Sequence, residues 1–269
     1  MQPQECIDDT VLKPDEEGFF HLKDINISKN EEFENNKYSR AYDRIDNFTS
    51  FSTYQLDCRT ENYLKKIIDT ILKPQQDKIK KENLQVLIYT CLKELVINAH
   101  KANIKDYLIT SNKLRYDSQE DQETVYKLMR SVLRDTNPEL KAVNVEAHEK
   151  GKRIAIRFFP DDNTLILIVK NNTPLFPVEE KRIREKLAKA NKFNSLIEYY
   201  MENADELEGQ GIGLAMVHLM LKDTGMVNKD CKNFVIHSGK TNPEETIARI
   251  IFNLSWPLPF RYAFSCLKY

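Results

Sequence analysis

The sequence predicts an α+β fold, a two-layer sandwich in which a mostly antiparallel sheet carries helices on one face. Residues 77–102 repeat apolar side chains at three- and four-residue steps, which predicts an amphipathic helix. Residues 153–169 alternate apolar and polar side chains on both sides of the turn-forming segment 160–163, which predicts a hairpin. The expected helices and the expected antiparallel strands fall largely in different parts of the chain. That arrangement favours one sheet with helices layered on it.

Shorter signals predict the other elements. Residues 1–46 are expected to form an acidic, loosely ordered arm, because the first 36 residues contain ten Asp or Glu against three Lys. The further expected elements are, in chain order, a strand within 47–58, helices over 60–72, 118–135 and after Pro138, helical segments within 176–208 and over 212–221, and strands over 233–238 and 246–254. We therefore expect one domain over 47–258, with a helical insertion near 118–150 and a C-terminal tail over 259–269.

Composition narrows the classes of function. The 269 residues carry 40 Lys and Arg against 41 Asp and Glu, a net charge of −1, which argues against charge-driven binding to nucleic acid or to an anionic membrane. No stretch approaches the roughly 18 consecutive apolar residues of a membrane span, and the first residues lack the features of a secretory signal. The five cysteines are far apart and form no CxxC pair, so we expect reduced thiols in a cytoplasmic protein and no thiolate metal site.

The first candidate feature is a polar stripe on the helix predicted over 77–102. At about 100° per residue, Glu94, Asn98 and Lys101 lie within roughly 60° of one another, away from the apolar face. A solvated face explains a Glu and Lys pair equally simply. Asn98 weakens that explanation, because asparagine is a poor residue for the middle of a helix. The stripe is therefore a candidate site.

The second feature is an apolar strand that runs into two asparagines, Asn171 and Asn172, and then Pro174. Taken alone, this pattern is best explained as a strand end followed by turn residues. The functional alternative is a carboxamide fixed at a strand end, where it faces a pocket.

The third feature is a cluster of glycines before an apolar helix. The chain has only 7 glycines, and Gly209, Gly211 and Gly213 fall within five residues. Glycines at a helix start leave free backbone N–H groups at the positive end of the helix, which suits a phosphate. The Walker and Rossmann motifs are excluded, because no Gly-Lys-Ser/Thr is present and position 214 is Leu. A loop that merely needs turns remains an equally good explanation.

Together, the three features resemble the nucleotide site of the histidine-kinase-like ATPase superfamily, which joins sensor kinases, anti-sigma-factor kinases and the ATPase domains of type II topoisomerases. ELVINAHKA at 94–102 resembles the family's N-box, and EGQGIGLAMV at 208–217 resembles its G2 box. VKNNTPL at 169–175 stands where the G1 box would be, and the strand beginning at Thr246 resembles the family's closing strand. The resemblance covers residues 60–255 approximately and implies the Bergerat-type form of the sandwich.

The resemblance implies ATP and Mg²⁺ as cofactors and a role for each matching residue. Asn98 would hold Mg²⁺, a task that suits an amide oxygen. Glu94 would orient or deprotonate the attacking group, and residues 176–208 would form a lid over ATP. The implied nucleotide-binding positions are Asn98, Lys101, Asn171, Thr173, Gly209, Gly211, Gly213, Leu214 and Thr246.

One box departs from the family pattern. The G1 box normally reads Asp-x-Gly-x-Gly, and its aspartate accepts a hydrogen bond from the adenine amino group. The aligned residues here are Asn171, Thr173 and Leu175. Asparagine can still accept through its carbonyl, with Thr246 as a brace, but the loss of both glycines stiffens the floor of the pocket.

The expected function is that of an ATP- and Mg²⁺-binding domain, a protein kinase or ATPase if active. It would transfer phosphate to a separate partner, a response regulator or another regulatory protein, or signal nucleotide state to it. Self-phosphorylation on a dimerisation helix is not expected, because no histidine lies on the helix predicted over 60–72. A nucleotide-sensing or inactive interaction module of the same fold is the alternative, and an ATP-operated dimer clamp is a third. The oligomeric state stays open.

Overall fold

The computed structural model describes residues 49–116, 118–133, 138–202, 212–226, 233–239 and 244–255. The strands in these ranges are β1 (Thr49–Thr53), β2 (Ile154–Pro160), β3 (Thr164–Asn171), β4 (Phe234–Ser238) and β5 (Thr246–Asn253). The helices are α1 (Cys58–Ile71), α2 (Lys78–Ser111), α3 (Gln119–Val132), α4 (Pro138–Glu149), α5 (Pro177–Asn191), α6 (Leu196–Glu202) and α7 (Ile212–Asp223). The predicted α+β class is confirmed.

The five strands form one sheet in the order β1-β2-β3-β5-β4, and every neighbouring pair is antiparallel. The predicted hairpin is confirmed as β2 and β3. Because β5 lies between β3 and β4, the end of β3 lies beside the start of β5, and Asn171 pairs with Thr246. The sheet order therefore joins two candidate residues that are 75 positions apart in the sequence.

One face of the sheet packs against helices. Side chains alternate between the two faces of a strand, and the apolar side chains at alternate positions of β2, β3 and β5 join one core with α1, α2 and α7. The sheet contributes Ile154, Ile156, Phe158, Leu165, Leu167, Val169, Ala248, Ile250 and Phe252 to this core. Burying one Leu or Ile side chain fully contributes about 1.5–3 kcal/mol. This core fixes α2 and α7 on the sheet, and these are the two helices that carry the candidate site.

Helix α2 is the longest element and extends beyond the predicted segment. The carboxylate of Asp77 accepts a hydrogen bond from the N–H of Lys80 at 3.0 Å and caps the helix. The helix then runs to Ser111, nine residues past the predicted end at position 102. Its last turns bury Ile104 and Leu108 against the insertion helices α3 and α4. The segment predicted as an insertion therefore contains two helices that pack on the end of α2.

The segment predicted as a lid contains α5 and α6, and it packs against α7. Phe193 and Tyr199 meet edge to face, with ring centroids 5.2 Å apart, and join a small core with Ala215 and Leu219 of α7. The ammonium of Lys222 donates to the backbone carbonyl of Asn191 at 2.8 Å. These contacts fix α5 and α6 beside the helix that begins at the glycine cluster.

Several predictions concern residues outside the described ranges, namely the arm over 1–46, Gly209, Gly211, the last part of the lid and the tail over 259–269. The cysteine prediction is wrong for one described residue, because Cys58 is disulfide-bonded. Cys91 is a buried free thiol, as expected. No helix in the described part of the chain is long and apolar enough to cross a membrane.

Candidate functional site

Asn98 lies on α2 with its amide held in one orientation. Its Nδ2 donates to the backbone carbonyl of Glu94, one helical turn earlier, at 2.7 Å. A backbone carbonyl can only accept a hydrogen bond, so the nitrogen must face Glu94 O and the oxygen must face away. Oδ1 of Asn98 makes no hydrogen bond to any described residue. The helix thus presents an oriented amide oxygen that no residue in the described ranges engages.

Gly213 brings the start of α7 against that part of α2. A Cβ at position 213 would lie 2.0 Å from Oε2 and 3.1 Å from Cδ of Glu94, and 3.4 Å from Nδ2 of Asn98. The first of these distances is far inside van der Waals contact, so only glycine fits the observed Glu94 position. The first N–H groups of a helix have no partners within the helix. The positive end of α7 therefore lies beside Glu94 and Asn98.

Burial changes the electrostatics of Glu94. Its carboxyl is half-buried, which raises its pKa, and the nearby charges of Lys101 and Lys93 lower the pKa in part. The same carboxylate acts on Tyr200 of α6. The pKa of Tyr200 is raised mainly by burial and further by the negative charge of Glu94. Glu94 thus lies between α2 and the start of α7, and its charge acts on Tyr200 of α6.

A second polar group lies at the end of β3. Asn171 and Thr173 are 4% and 3% exposed, and both donate to Oδ1 of Asn103 on α2, from Nδ2 at 3.3 Å and from Oγ1 at 2.8 Å. Asn103 is itself 2% exposed. The hydroxyl of Thr246 donates to the backbone carbonyl of Thr173 at 2.8 Å. These four side chains fix the loop after β3 against α2.

The two groups lie on the same helix. Asn103 follows Asn98 by five residues, which is about 7.5 Å along the axis at 1.5 Å per residue. The structure thus brings Glu94, Asn98 and Gly213 together, and joins Asn171, Thr173 and Thr246 to α2 through Asn103. Leu214 packs against the main core. Lys101 is exposed and forms no ion pair with the described residues.

A third cluster joins α2 to the start of the predicted lid. Lys105 forms an ion pair with Glu179 of α5. The ring of Tyr116 stacks on Phe176, with centroids 3.7 Å apart and an interplanar angle of 24°. Asp106, which is buried, accepts from the hydroxyl of Tyr116 and pairs with Lys152. The first turn of α5 is therefore held on the same helix as the two polar groups.

Sequence reasoning missed Asn103, although the signal that singles out Asn98 applies to it as well. Both are asparagines in the middle of a long helix, where this residue type is unfavourable.

The remaining candidate, a metal site, depends on the oxygen of Asn98. No group of three or more His, Cys, Asp or Glu that could hold a metal ion occurs among the residues described.

Comparison with known proteins gives little further information. No model of a known protein family matches the chain, and no solved structure matches it. The chain is similar to an uncharacterized protein of Treponema pallidum (strain Nichols), with 27% identity over 203 residues. The match covers 75% of this chain but only 38% of that protein. The chain therefore spans well under half the length of the curated relative that it matches.

Proposed function

We propose that this chain is an ATP- and Mg²⁺-binding domain of the histidine-kinase-like, Bergerat type, which transfers phosphate to a separate regulatory protein or signals nucleotide state to it. The observation that carries the proposal is the contact of Gly213 with Glu94 and Asn98. Two segments that are more than a hundred residues apart, each a candidate on its own, meet at one place.

The residues at this place fit a triphosphate with its cation. The absence of a side chain at Gly213 lets the start of α7 approach Glu94 and Asn98 closely, and the first N–H groups of a helix, which have no partners within it, suit phosphate oxygens. Oδ1 of Asn98, which none of the described residues engages, is the kind of oxygen that a hard cation such as Mg²⁺ takes as a ligand. The second polar group, at the end of β3, is held by Asn103 farther along α2, and the proposal assigns the base of the nucleotide to its Asn171.

Each residue then has a distinct task. The γ-phosphoryl group of ATP supplies the group to be transferred, and Mg²⁺ neutralises charge on the phosphate oxygens when bound. Asn98 would hold the cation through Oδ1, and the N–H groups at the start of α7 would bind phosphate oxygens. Glu94 would orient the attacking group or accept its proton, and the raised pKa makes its carboxylate a better base. Helices α5 and α6 would exclude water.

The test is a calorimetric titration with ATP, with and without Mg²⁺. Wild type should bind more tightly with the metal, and Asn98→Ala should remove the metal-dependent part of the affinity. Asn62→Ala is the matched control, because it makes the same change at an exposed position of α1. If Asn98→Ala bound ATP as tightly as wild type, both with Mg²⁺ and without it, the assignment would be rejected.

An inactive or nucleotide-sensing module is the second candidate, and the buried floor at the end of β3 favours it. Asn171 and Thr173 stand where the resemblance expects Asp and Gly, and both are held by Asn103. A phosphate-release assay with Glu94→Gln separates the two functions, with Glu82→Gln at an exposed position of α2 as control. Turnover that depends on Glu94 supports the enzyme, and nucleotide binding without turnover supports the module.

A further inference from the structure

The amide of Asn103 has only one orientation that satisfies its neighbours. Its Nδ2 donates to the backbone carbonyl of Arg153 at 3.1 Å. That carbonyl can only accept, so the nitrogen of Asn103 must face it and Oδ1 must face the end of β3. The backbone carbonyl of Arg153, the residue before β2, thus fixes the orientation of the Asn103 side chain on α2.

The orientation of Asn103 fixes that of Asn171. Oδ1 of Asn103 is an acceptor, so Asn171 must turn its own nitrogen toward it, as the Nδ2 to Oδ1 distance of 3.3 Å indicates. The hydroxyl of Thr173 donates to the same oxygen at 2.8 Å and holds it in place. Oδ1 of Asn171 is left without a hydrogen bond to any described residue. The asparagine therefore offers an acceptor, as an aspartate would.

We propose that Asn103 is a positioning residue that makes the site select a purine with a 6-amino group over one with a 6-oxo group. This inference rests on the proposed nucleotide site, with the base at Asn171. A free asparagine could rotate and offer either its oxygen or its nitrogen to the base. The hydrogen bonds from Asn103 to the carbonyl of Arg153 and from Asn171 to Asn103 remove that choice. If the amide of Asn171 rotated, its oxygen would face Oδ1 of Asn103, and two acceptors would oppose each other in a buried place.

The first test measures the affinity of the wild-type protein for three nucleotides in the presence of Mg²⁺. These are ATP, the triphosphate of purine riboside, which carries only hydrogen at position 6, and inosine triphosphate, which carries an oxygen there. We expect ATP to bind most tightly and inosine triphosphate most weakly, with at least about a tenfold difference between them. Equal or tighter binding of inosine triphosphate would overturn the inference.

Two variants of Asn103 test these hydrogen bonds. In Asn103→Asp, burial favours the protonated carboxyl, which can donate to the carbonyl of Arg153 and still accept from Asn171, so the ratio of ATP to inosine triphosphate affinity should stay near the wild-type value. Asn103→Leu removes the acceptor and frees Asn171 to rotate, so the ratio should fall toward one while the Mg²⁺-dependent gain in affinity remains. A merely structural role would weaken both nucleotides equally and leave the ratio unchanged, which would overturn the inference.

The outcomes separate this inference from the proposed function. Wild type that binds no nucleotide, with or without Mg²⁺, would overturn both. Wild type that binds ATP but keeps the same ratio in a folded Asn103→Leu variant would overturn only the role of Asn103. Thermal melting decides whether each variant is folded, and if Asn103→Leu does not fold, the same affinity ratio in Asn103→Ala, which also removes the acceptor, decides the role of Asn103.

Discussion

Replacing Gly213 by alanine tests whether the start of α7 and Glu94 act together. The added Cβ would lie 2.0 Å from Oε2 of Glu94. Ordinary contact begins at 3.4 Å, so the carboxylate must move away by about 1.4 Å. Because the carboxylate is the end of a flexible side chain, it can move without a shift of the backbone.

The expected effect is large for activity and small for stability. A displacement of about 1 Å in a catalytic group can cost about 100-fold in rate, so Gly213→Ala should lower ATP turnover by about that factor. Alanine stabilises a helix by up to about 1 kcal/mol relative to glycine. A strained Glu94 rotamer costs about 0.5–1.5 kcal/mol. The two effects nearly cancel, so the melting temperature should change by less than about 4 °C.

The assay compares phosphate release by wild type, Gly213→Ala, Glu94→Ala and the double variant, with melting curves for each. If Gly213 acts through Glu94, the double variant should be no slower than Glu94→Ala alone. Wild-type turnover in a folded Gly213→Ala, or losses that multiply in the double variant, would refute the reasoning.

Three further predictions concern stability and pH. Thr246→Val removes the hydrogen bond to Thr173 O and should cost about 1 kcal/mol in urea unfolding, whereas Thr246→Ser keeps the hydroxyl and should cost less. Leu92→Ala opens a cavity in the main core and should cost about 2–5 kcal/mol, against less than about 1 kcal/mol for the more exposed Val86→Ala on the same helix. Burial raises the pKa of Glu94 above its ordinary value of 4.5, so turnover should rise with pH through that raised pKa, and Glu94→Gln should lack this limb. In unfolding, the folded chain holds this proton more tightly than the unfolded chain, so stability should fall as pH rises from the unfolded pKa to the folded pKa, and Glu94→Gln should lose that fall. If the difference in turnover between wild type and Glu94→Gln did not change with pH across this window, the assignment of Glu94 as the base would be contradicted.

Local pattern predicted most of the elements, because helices and strands follow from periodicity. The hairpin of β2 and β3 and the helix containing Asn98 needed only the spacing of apolar residues. The end of α2 was misjudged, because Ile104 and Leu108 pack against the insertion rather than against the main core. Their burial depends on α3 and α4, which a local pattern does not contain.

The arrangement of the site depends on contacts that the sequence does not state. The pairing of Asn171 with Thr246 follows from β5 lying between β3 and β4, a choice of strand order. The role of Asn103 follows from a carbonyl of Arg153 that is 50 residues away in the sequence. The contact of Gly213 with Glu94 follows from how α7 crosses α2, which the shared core decides. The polar residue types were visible in advance, but the way they meet was not.

The most direct test of the site uses Mn²⁺ in place of Mg²⁺ and follows amide signals of the ¹⁵N-labelled protein by NMR. If one cation and one triphosphate are held between α2 and α7, adding Mn²⁺ with ATP should broaden the side-chain amide of Asn98 and the backbone amide of Gly213 together, and should leave the exposed Thr124 of α3 sharp. Broadening of only one of the two amides, or of neither, would contradict the account.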